Sequence, residues 1–236
     1  EETEKLDELY RLGGTSGGAR PKVMMEMDGE PWIIKFPAHV DRADIGKMEY
    51  DYYLCAEQCG ITMSECNLFP SDKCSGYFGT KRFDRKNQHG EMERVHMLTV
   101  AALLELDFEQ PVLDYQDLMK LTKIITNNSP EDLENMYRRM CFNVYAHNRD
   151  DHAKNFSFLY EEEKKCWRLS PAYDLTYSTT YYGEHTTTVA GNGKNPGSKE
   201  LIFVGTQAGL SKEKCRSIAV EIKNCVSDML SEYLNP

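Results

Sequence analysis

The sequence predicts an α+β fold with a β-rich first part and a mostly helical second part. Short apolar segments separated by turn residues dominate the first third, and an Asp-Gly turn at residues 28–29 indicates a β-hairpin. After residue 85, apolar residues recur at helical spacing. A chain of 236 residues fits one two-lobed domain or two small ones. We divide it into an N-terminal half, residues 1–84, and a C-terminal half, residues 85–236.

The first predicted elements surround a glycine-rich segment. Residues 13–20, GGTSGGAR, precede the hairpin of residues 23–27 and 32–36, and Lys35 lies at the end of its second strand. Glu49 opens an amphipathic helical stretch and is placed to pair with Lys35. Backbone amides of a glycine-rich loop can cradle phosphate oxygens. The segment is not a Walker A motif, which ends in Gly-Lys-Ser/Thr.

The second part is predicted to be helical around one strand hairpin. Ser129 and Pro130 are typical of a helix start, and this helix delivers residues 147–155 at its end. The loop of residues 178–197 is predicted to shape a protein-substrate site. The other predicted elements are helices over residues 93–106, 115–125 and 211–233, and a hairpin of residues 156–160 and 166–169.

Residues 147–155, HNRDDHAKN, carry the strongest chemical signal. Asp150 precedes Asn155 by five residues, and Asp174 follows after the hairpin. In a kinase catalytic loop the Asp accepts the substrate hydroxyl proton, the Asn at that offset holds magnesium, and a later Asp binds the metal that bridges the phosphates. The Asp-x4-Asn spacing is a weak signal when it stands alone. Together with Lys35 behind a glycine-rich loop, it predicts phosphoryl transfer that depends on ATP and Mg²⁺.

Several segments resemble the HipA family of toxin kinases. They are residues 17–22, 33–37, 81–85, 151–157, 169–174 and 199–210. The His-Ala-Lys-Asn and Pro-x-Tyr-Asp pair is the most specific. The resemblance implies a two-lobed, protein-kinase-like fold and a cytoplasmic serine/threonine protein kinase. It further implies a type II toxin–antitoxin system, a HipB-like helix-turn-helix antitoxin as partner, and a protein substrate such as an aminoacyl-tRNA synthetase.

The resemblance also implies roles for individual residues. Asp150 would be the catalytic base, Asn155 and Asp174 would hold Mg²⁺, and Lys35 and His152 would contact the nucleotide. Residues 81–83 would form a hinge that meets the adenine through its backbone. The implied nucleotide-contacting residues are Gly17, Gly18, Ala19, Arg20, Lys35, Glu49, Lys81, Arg82, Phe83, His152, Asn155, Tyr173 and Asp174. Because the family phosphorylates a serine of its glycine-rich loop, Thr15 or Ser16 is the matching site, and a phosphate there would lower ATP affinity.

The chain departs from the family pattern in three places. Asp151 stands where the family usually has Gly, which is expected to add a second carboxylate beside the metal site. Arg20-Pro21 replaces a frequent Gln-Glu in the glycine-rich loop. No segment resembles the N-terminal subdomain of full-length HipA, so we expect a HipT-like protein or a fragment.

Two other functions fit part of this pattern. A small-molecule kinase of the aminoglycoside or choline kinase type shares the Asp-x4-Asn loop and the later Asp. A kinase-fold module without activity, serving as a co-repressor, is the second alternative. It is disfavoured because Lys35, Asp150, Asn155 and Asp174 are all present.

Composition narrows the classes further. A net charge of −10 argues against direct binding to nucleic acid. No apolar run approaches the roughly 20 residues of a membrane span, and no signal peptide is recognisable. The eight cysteines form no Cys-x2-Cys pair, so we predict free thiols in a reducing cytoplasm.

Overall fold

The computed structural model describes residues 2–12, 20–88, 90–105, 113–180 and 182–234 and confirms the α+β fold class. Its helices are α1 (Glu2–Leu12), α2 (Ile45–Gln58), α3 (Val100–Leu103), α4 (Tyr115–Ile125), α5 (Pro130–Tyr145), α6 (Ser198–Ala208) and α7 (Lys212–Leu234), with a 3₁₀ turn at Ala153–Asn155. Its strands are β1 (Lys22–Met27), β2 (Glu30–Lys35), β3 (Cys66–Phe69), β4 (Tyr77–Lys81), β5 (Arg85–Gln88), β6 (Glu91–Arg94), β7 (Met97–Thr99), β8 (Leu113–Asp114), β9 (Ser157–Glu161), β10 (Cys166–Leu169) and β11 (Thr187–Thr188).

An antiparallel four-stranded sheet organises the first part of the chain, in the order β1-β2-β4-β3. The hairpin of β1 and β2 is confirmed. Its turn residues Asp28 and Gly29 both have positive φ, 53° and 75°, as a type I′ turn requires. Helix α2 packs closely against the start of β4. At Gly46 there is no room for a side chain, since a Cβ there would overlap the carbonyl oxygen of Gly76, the residue before that strand. The sequence therefore fixes both the hairpin and the close approach of α2.

Helix α1 was not predicted, yet it contributes to the core beneath the sheet. Leu6 is fully buried in a cluster with Phe36 and Tyr77. The Asp7 carboxylate accepts hydrogen bonds from the hydroxyls of Tyr77 and Ser71, each 2.7 Å long. The buried Leu6 side chain and the two hydrogen bonds of Asp7 therefore hold helix α1 against the sheet.

The second part is built around the buried helix α5. Its predicted start is confirmed: the Ser129 side chain accepts a hydrogen bond from the Asp132 amide (3.3 Å), and Pro130 occupies the first helical position. The core around α5 also receives residues of α4, α6 and α7. Ile45, Met48 and Tyr52 of α2 belong to the same core. Helix α2 therefore joins the sheet to the helical part, and the division at residue 84 stays a prediction.

The predicted helix over residues 93–106 is wrong. The end of β6 and all of β7 lie in this stretch, and helix α3 covers only four residues of it. Met97–Thr99 pairs antiparallel with β9, with Leu98 opposite Phe158. This long-range pairing overrides the local helical pattern. No helix among the described residues has the length and apolar composition that a membrane span requires.

Candidate active site

Two adjoining cavities open between the four-stranded sheet and residues 147–155, called the catalytic stretch below. The first, of about 230 Å³, is mainly apolar and lies beside the end of β4. The second, of about 450 Å³, is more polar. Lys35, Glu49, Tyr173 and Asp174 line both cavities. The predicted site residues that the structure describes thus lie around one cleft.

Lys35 joins the two sides of this cleft through two carboxylates. Its Nζ lies 2.5 Å from Glu49 Oε1 and also contacts Asp174 Oδ1. The predicted Lys35–Glu49 pair is confirmed. Burial lowers the pKa of Lys35, but the two carboxylates outweigh it and hold this pKa well above its ordinary value. Lys35 therefore remains positively charged in the cleft.

Asp174 occupies a conformation that directs its carboxylate to Lys35. Its φ of 54° lies in the left-handed region, which Asp tolerates better than most residues. Burial raises the pKa of Asp174, yet the charge and hydrogen bond of Lys35 outweigh this and lower it below the usual range. Just before it, the Tyr173 hydroxyl donates to the Lys154 carbonyl over 2.7 Å. This hydrogen bond connects the segment around Asp174 to the catalytic stretch.

Asp150 and Asn155 are held together by the backbone. The Asn155 side-chain nitrogen donates to the Asp150 carbonyl oxygen over 2.9 Å, so the amide oxygen of Asn155 is available for another ligand. The Asp150 carboxylate is 61% exposed, and its Oδ1 lies 3.9 Å from His152 Nε2. Partial burial of the Asp150 carboxyl raises its pKa, His152 opposes the rise, and the charges of Asp151 and Asp174 add to it.

Two buried polar atoms along the polar cavity are available to a bound group. His152 Nδ1 and Thr176 Oγ1 are buried and find no hydrogen-bond partner among the described residues. Both side chains line the polar cavity, as does Lys22. Buried polar atoms without partners are rare in folded proteins. A bound group with polar atoms would satisfy them, and only the structure brings Lys22 and Thr176 to attention.

Asp151 does not lie beside the metal site, and that expectation is wrong. Its carboxylate is fully buried and accepts hydrogen bonds from the Tyr115 hydroxyl (2.8 Å) and the Thr187 amide (3.1 Å). His185 Nδ1 lies 3.0 Å from the same carboxylate. The carbonyl oxygen of Asp151 also accepts from the Thr187 hydroxyl. Asp151 therefore ties the catalytic stretch to the segment that follows Asp174.

We expect Asp151→Asn to lower the free energy of unfolding by about 1–3 kcal/mol, because an amide turns one acceptor oxygen into a donor that faces buried donors. Asp150→Asn should change it by less than about 0.5 kcal/mol, since that side chain is largely exposed. Denaturant titration of both variants measures the difference. Intact stability of Asp151→Asn, together with lost activity, would contradict this structural role.

The predicted hinge lies at the end of β4 and borders the apolar cavity. The amides of Lys81 and Arg82 donate to the carbonyls of Glu65 and Pro31, each over 2.9 Å. The Phe83 ring lies 5.5 Å from that of Tyr173. The backbone amides of Lys81 and Arg82 are therefore already hydrogen-bonded within the protein. Of the three hinge residues, Phe83 is the better candidate to donate its backbone amide to a ligand.

Arg20 also lies at the cleft, but the segment before it is not described. Arg20 Nε lies 3.1 Å from Asp41 Oδ2, and its Nη1 lies 3.9 Å from Glu49 Oε2. The predicted contacts of Gly17, Gly18 and Ala19 fall outside the described residues, as does the predicted phosphorylation of Thr15 or Ser16.

The chain is similar to known proteins in sequence and in fold. The chain is 28% identical over 175 residues to "Putative kinase Y4dM" of Sinorhizobium fredii, covering 68% of the chain and 41% of that relative. HipA of a Shewanella oneidensis toxin–antitoxin system, solved with HipB and operator DNA, superposes with a TM-score of 0.75 at 16% identity. That match covers 98% of the chain and 64% of HipA. The chain therefore spans less than two thirds of both proteins.

A second solved structure has a similar fold. The proinflammatory kinase CtkA of Helicobacter pylori superposes with a TM-score of 0.58 at 12% identity, covering 89% of the chain and 91% of CtkA. Both solved structures support the kinase-like fold that the sequence predicts. Residues 14–229 match the HipA-like C-terminal domain, and the chain belongs to that family.

Proposed function

We propose that this chain is an ATP- and Mg²⁺-dependent kinase that phosphorylates a serine or threonine hydroxyl of a protein. One observation carries the proposal: Lys35, Glu49 and Asp174 form a contiguous charged group in the cleft that Asp150 and Asn155 also line. These are the residue types that phosphoryl transfer requires, because its catalysis depends on positioning and on charge stabilisation.

The two cavities suit the two parts of ATP. The apolar cavity beside residues 81–83 would take the adenine, which would meet the backbone of these residues. The polar cavity would take the phosphates, and Lys35 would neutralise part of their charge. Glu49, whose side chain is only 4% exposed, keeps Lys35 in place through an ion pair. His152 Nδ1 and Thr176 Oγ1 would gain partners from the bound nucleotide.

The donors in the polar cavity fit magnesium. Asp174 offers a carboxylate and Asn155 an amide oxygen, and Mg²⁺ prefers such oxygen ligands. When bound, the ion neutralises charge on the transferring phosphoryl group. Asp150 would accept the proton of the attacking hydroxyl, and its side chain is exposed enough for a protein substrate to reach it.

The proposal extends to a partner and a protein target. The neighbouring HipA structure contains HipB and operator DNA, so we propose a HipB-like antitoxin for this chain in the cytoplasm. Because the net charge of this chain is −10, we propose that any contact with DNA comes through that partner. An aminoacyl-tRNA synthetase as target and the phosphorylation of Thr15 or Ser16 rest on the family resemblance.

Incubation with γ-labelled ATP tests the proposal. We expect label on proteins of a host lysate and none on aminoglycosides or choline. The Lys35→Met variant should lose the label, while Lys199→Met, which changes an exposed lysine of α6, should keep it. Label on a small alcohol would favour the small-molecule kinase. No transfer to either acceptor, although ATP binds, would favour the module without activity.

The pH dependence of the rate should reflect Asp150. A base works only when deprotonated, and the pKa of Asp150 is raised above its ordinary value. We therefore expect kcat/KM to fall, as pH decreases, at a pH above the ordinary Asp pKa of about 3.9. A pH–rate profile measures this limb. An acid limb that persists unchanged in Asp150→Asn would assign it to another group.

A further inference from the structure

Three cysteine thiols meet where helices α2 and α7 pack together. The sulfur atoms of Cys55, Cys59 and Cys225 all lie within 4.8 Å of one another. Cys55 Sγ and Cys225 Sγ are 3.9 Å apart, and Met229 Sδ lies 3.7 Å from Cys225 Sγ. Four sulfur atoms therefore lie close together, and the site already described uses none of them.

The sequence spacing explains this convergence. Cys55 lies on the last turn of α2 and Cys59 caps that helix four residues later, while Cys225 and Met229 are four residues apart on α7. Residues at this spacing lie on the same face of a helix. When the two faces meet, thiols from different parts of the chain come together without any Cys-x2-Cys motif.

We propose that Cys55, Cys59 and Cys225 bind one soft, thiophilic metal ion of the Cu(I) type, with Met229 beside them as a fourth sulfur donor. Thiolate and thioether ligands select Cu(I), whereas a thioether adds little to a zinc site. With a metal–sulfur bond of about 2.3 Å, the sulfurs of such a site lie about 3.8–4.0 Å apart. The Cys55–Cys225 pair already has this separation, and pairs within 4.8 Å need to close by no more than about 1 Å.

The sulfur cluster is accessible from one side. Cys55 and Cys59 are fully buried, whereas Cys225 is half-buried and Met229 is 40% exposed. The α7 side therefore provides an entrance. Each thiol that binds the ion must release one proton, so the affinity should rise with pH.

Anaerobic titration of the purified chain with Cu(I), in competition with a bathocuproine chelator, tests the proposal. We expect one ion per chain, an ultraviolet thiolate-to-copper band and a first shell of sulfur by X-ray absorption. Cys225→Ser should weaken binding by about tenfold or more, on the scale of disturbed metal sites. Cys166→Ser is the matched control, because it removes another half-buried thiol outside the cluster.

Two further measurements make the result decisive. Cu(I) should raise the melting temperature of the unaltered chain, since a ligand of the native state stabilises it. Met229→Leu, which keeps the packing volume, should weaken Cu(I) more than Zn²⁺. If Cu(I) binds no more tightly to the unaltered chain than to Cys225→Ser, the thiols only pack as small apolar groups. Tighter binding of Zn²⁺ than of Cu(I) would also overturn the proposal.

Discussion

The Asp150→Asn variant is expected to transfer phosphate about 10²–10⁴-fold more slowly while it binds ATP nearly as well as the unaltered chain. The substitution removes the proton acceptor but keeps the size of the side chain. Asn155 bonds to the carbonyl oxygen of Asp150 and not to its carboxylate, so the catalytic turn should keep its shape. Lys35 and Asp174 are untouched. The loss should therefore appear in kcat and not in the affinity for ATP.

Single-turnover kinetics and calorimetry with ATP separate these two quantities. Asp117→Asn is the matched control, because it changes an exposed carboxylate on α4 and should leave both quantities unchanged. A large fall in ATP affinity with Asp150→Asn would mean that Asp150 binds the nucleotide or metal. An unchanged rate would remove Asp150 from the chemistry.

The Asp174→Ala variant should lose most of the magnesium-dependent part of its ATP affinity, by about tenfold or more. It removes the carboxylate proposed to hold the ion, and it leaves Lys35 with Glu49 as its described ion-pair partner. Phosphoryl transfer should fall with it. The effect should be small without magnesium, because Lys35 still faces the phosphates.

Calorimetry with and without Mg²⁺ measures this difference. Asp174→Asn is a useful companion, since Asn tolerates the left-handed backbone that Ala disfavours. If Asn and Ala both abolish the magnesium effect, charge is responsible and backbone strain is not. Unchanged affinity in both variants would show that the metal assignment is wrong, although Asp150 could remain the base.

Local sequence signals predicted the features whose deciding contacts lie close together in the chain. The Asp-Gly turn fixed the first hairpin, because only a few residue types accept positive φ at both turn positions. Ser129 and Pro130 fixed the start of α5. The pairing of Lys35 with Glu49 followed from a strand end that faces the next helix. In each case the deciding interaction lies within a short stretch of chain.

Long-range contacts decided the parts that were missed. Leu98 becomes a strand residue because Phe158, sixty residues later, provides a partner. Asp151 turns away from the cleft because two other segments hold its buried carboxylate: Tyr115 at the start of α4, and His185 and Thr187 in the segment after Asp174. The thiol cluster likewise joins residues 170 positions apart. No local pattern reports such partners.

Helix α1 has a practical consequence for anyone who shortens this chain. The family match begins at residue 14, which suggests a cut just before the glycine-rich segment. Such a cut would uncover the rings of Phe36 and Tyr77 and leave the Tyr77 hydroxyl without its Asp7 acceptor. The freshly exposed aromatic surface invites self-association. The smallest stable piece of this protein therefore starts before its family boundary, and preparations cut at that boundary should be checked for aggregation before they are judged inactive.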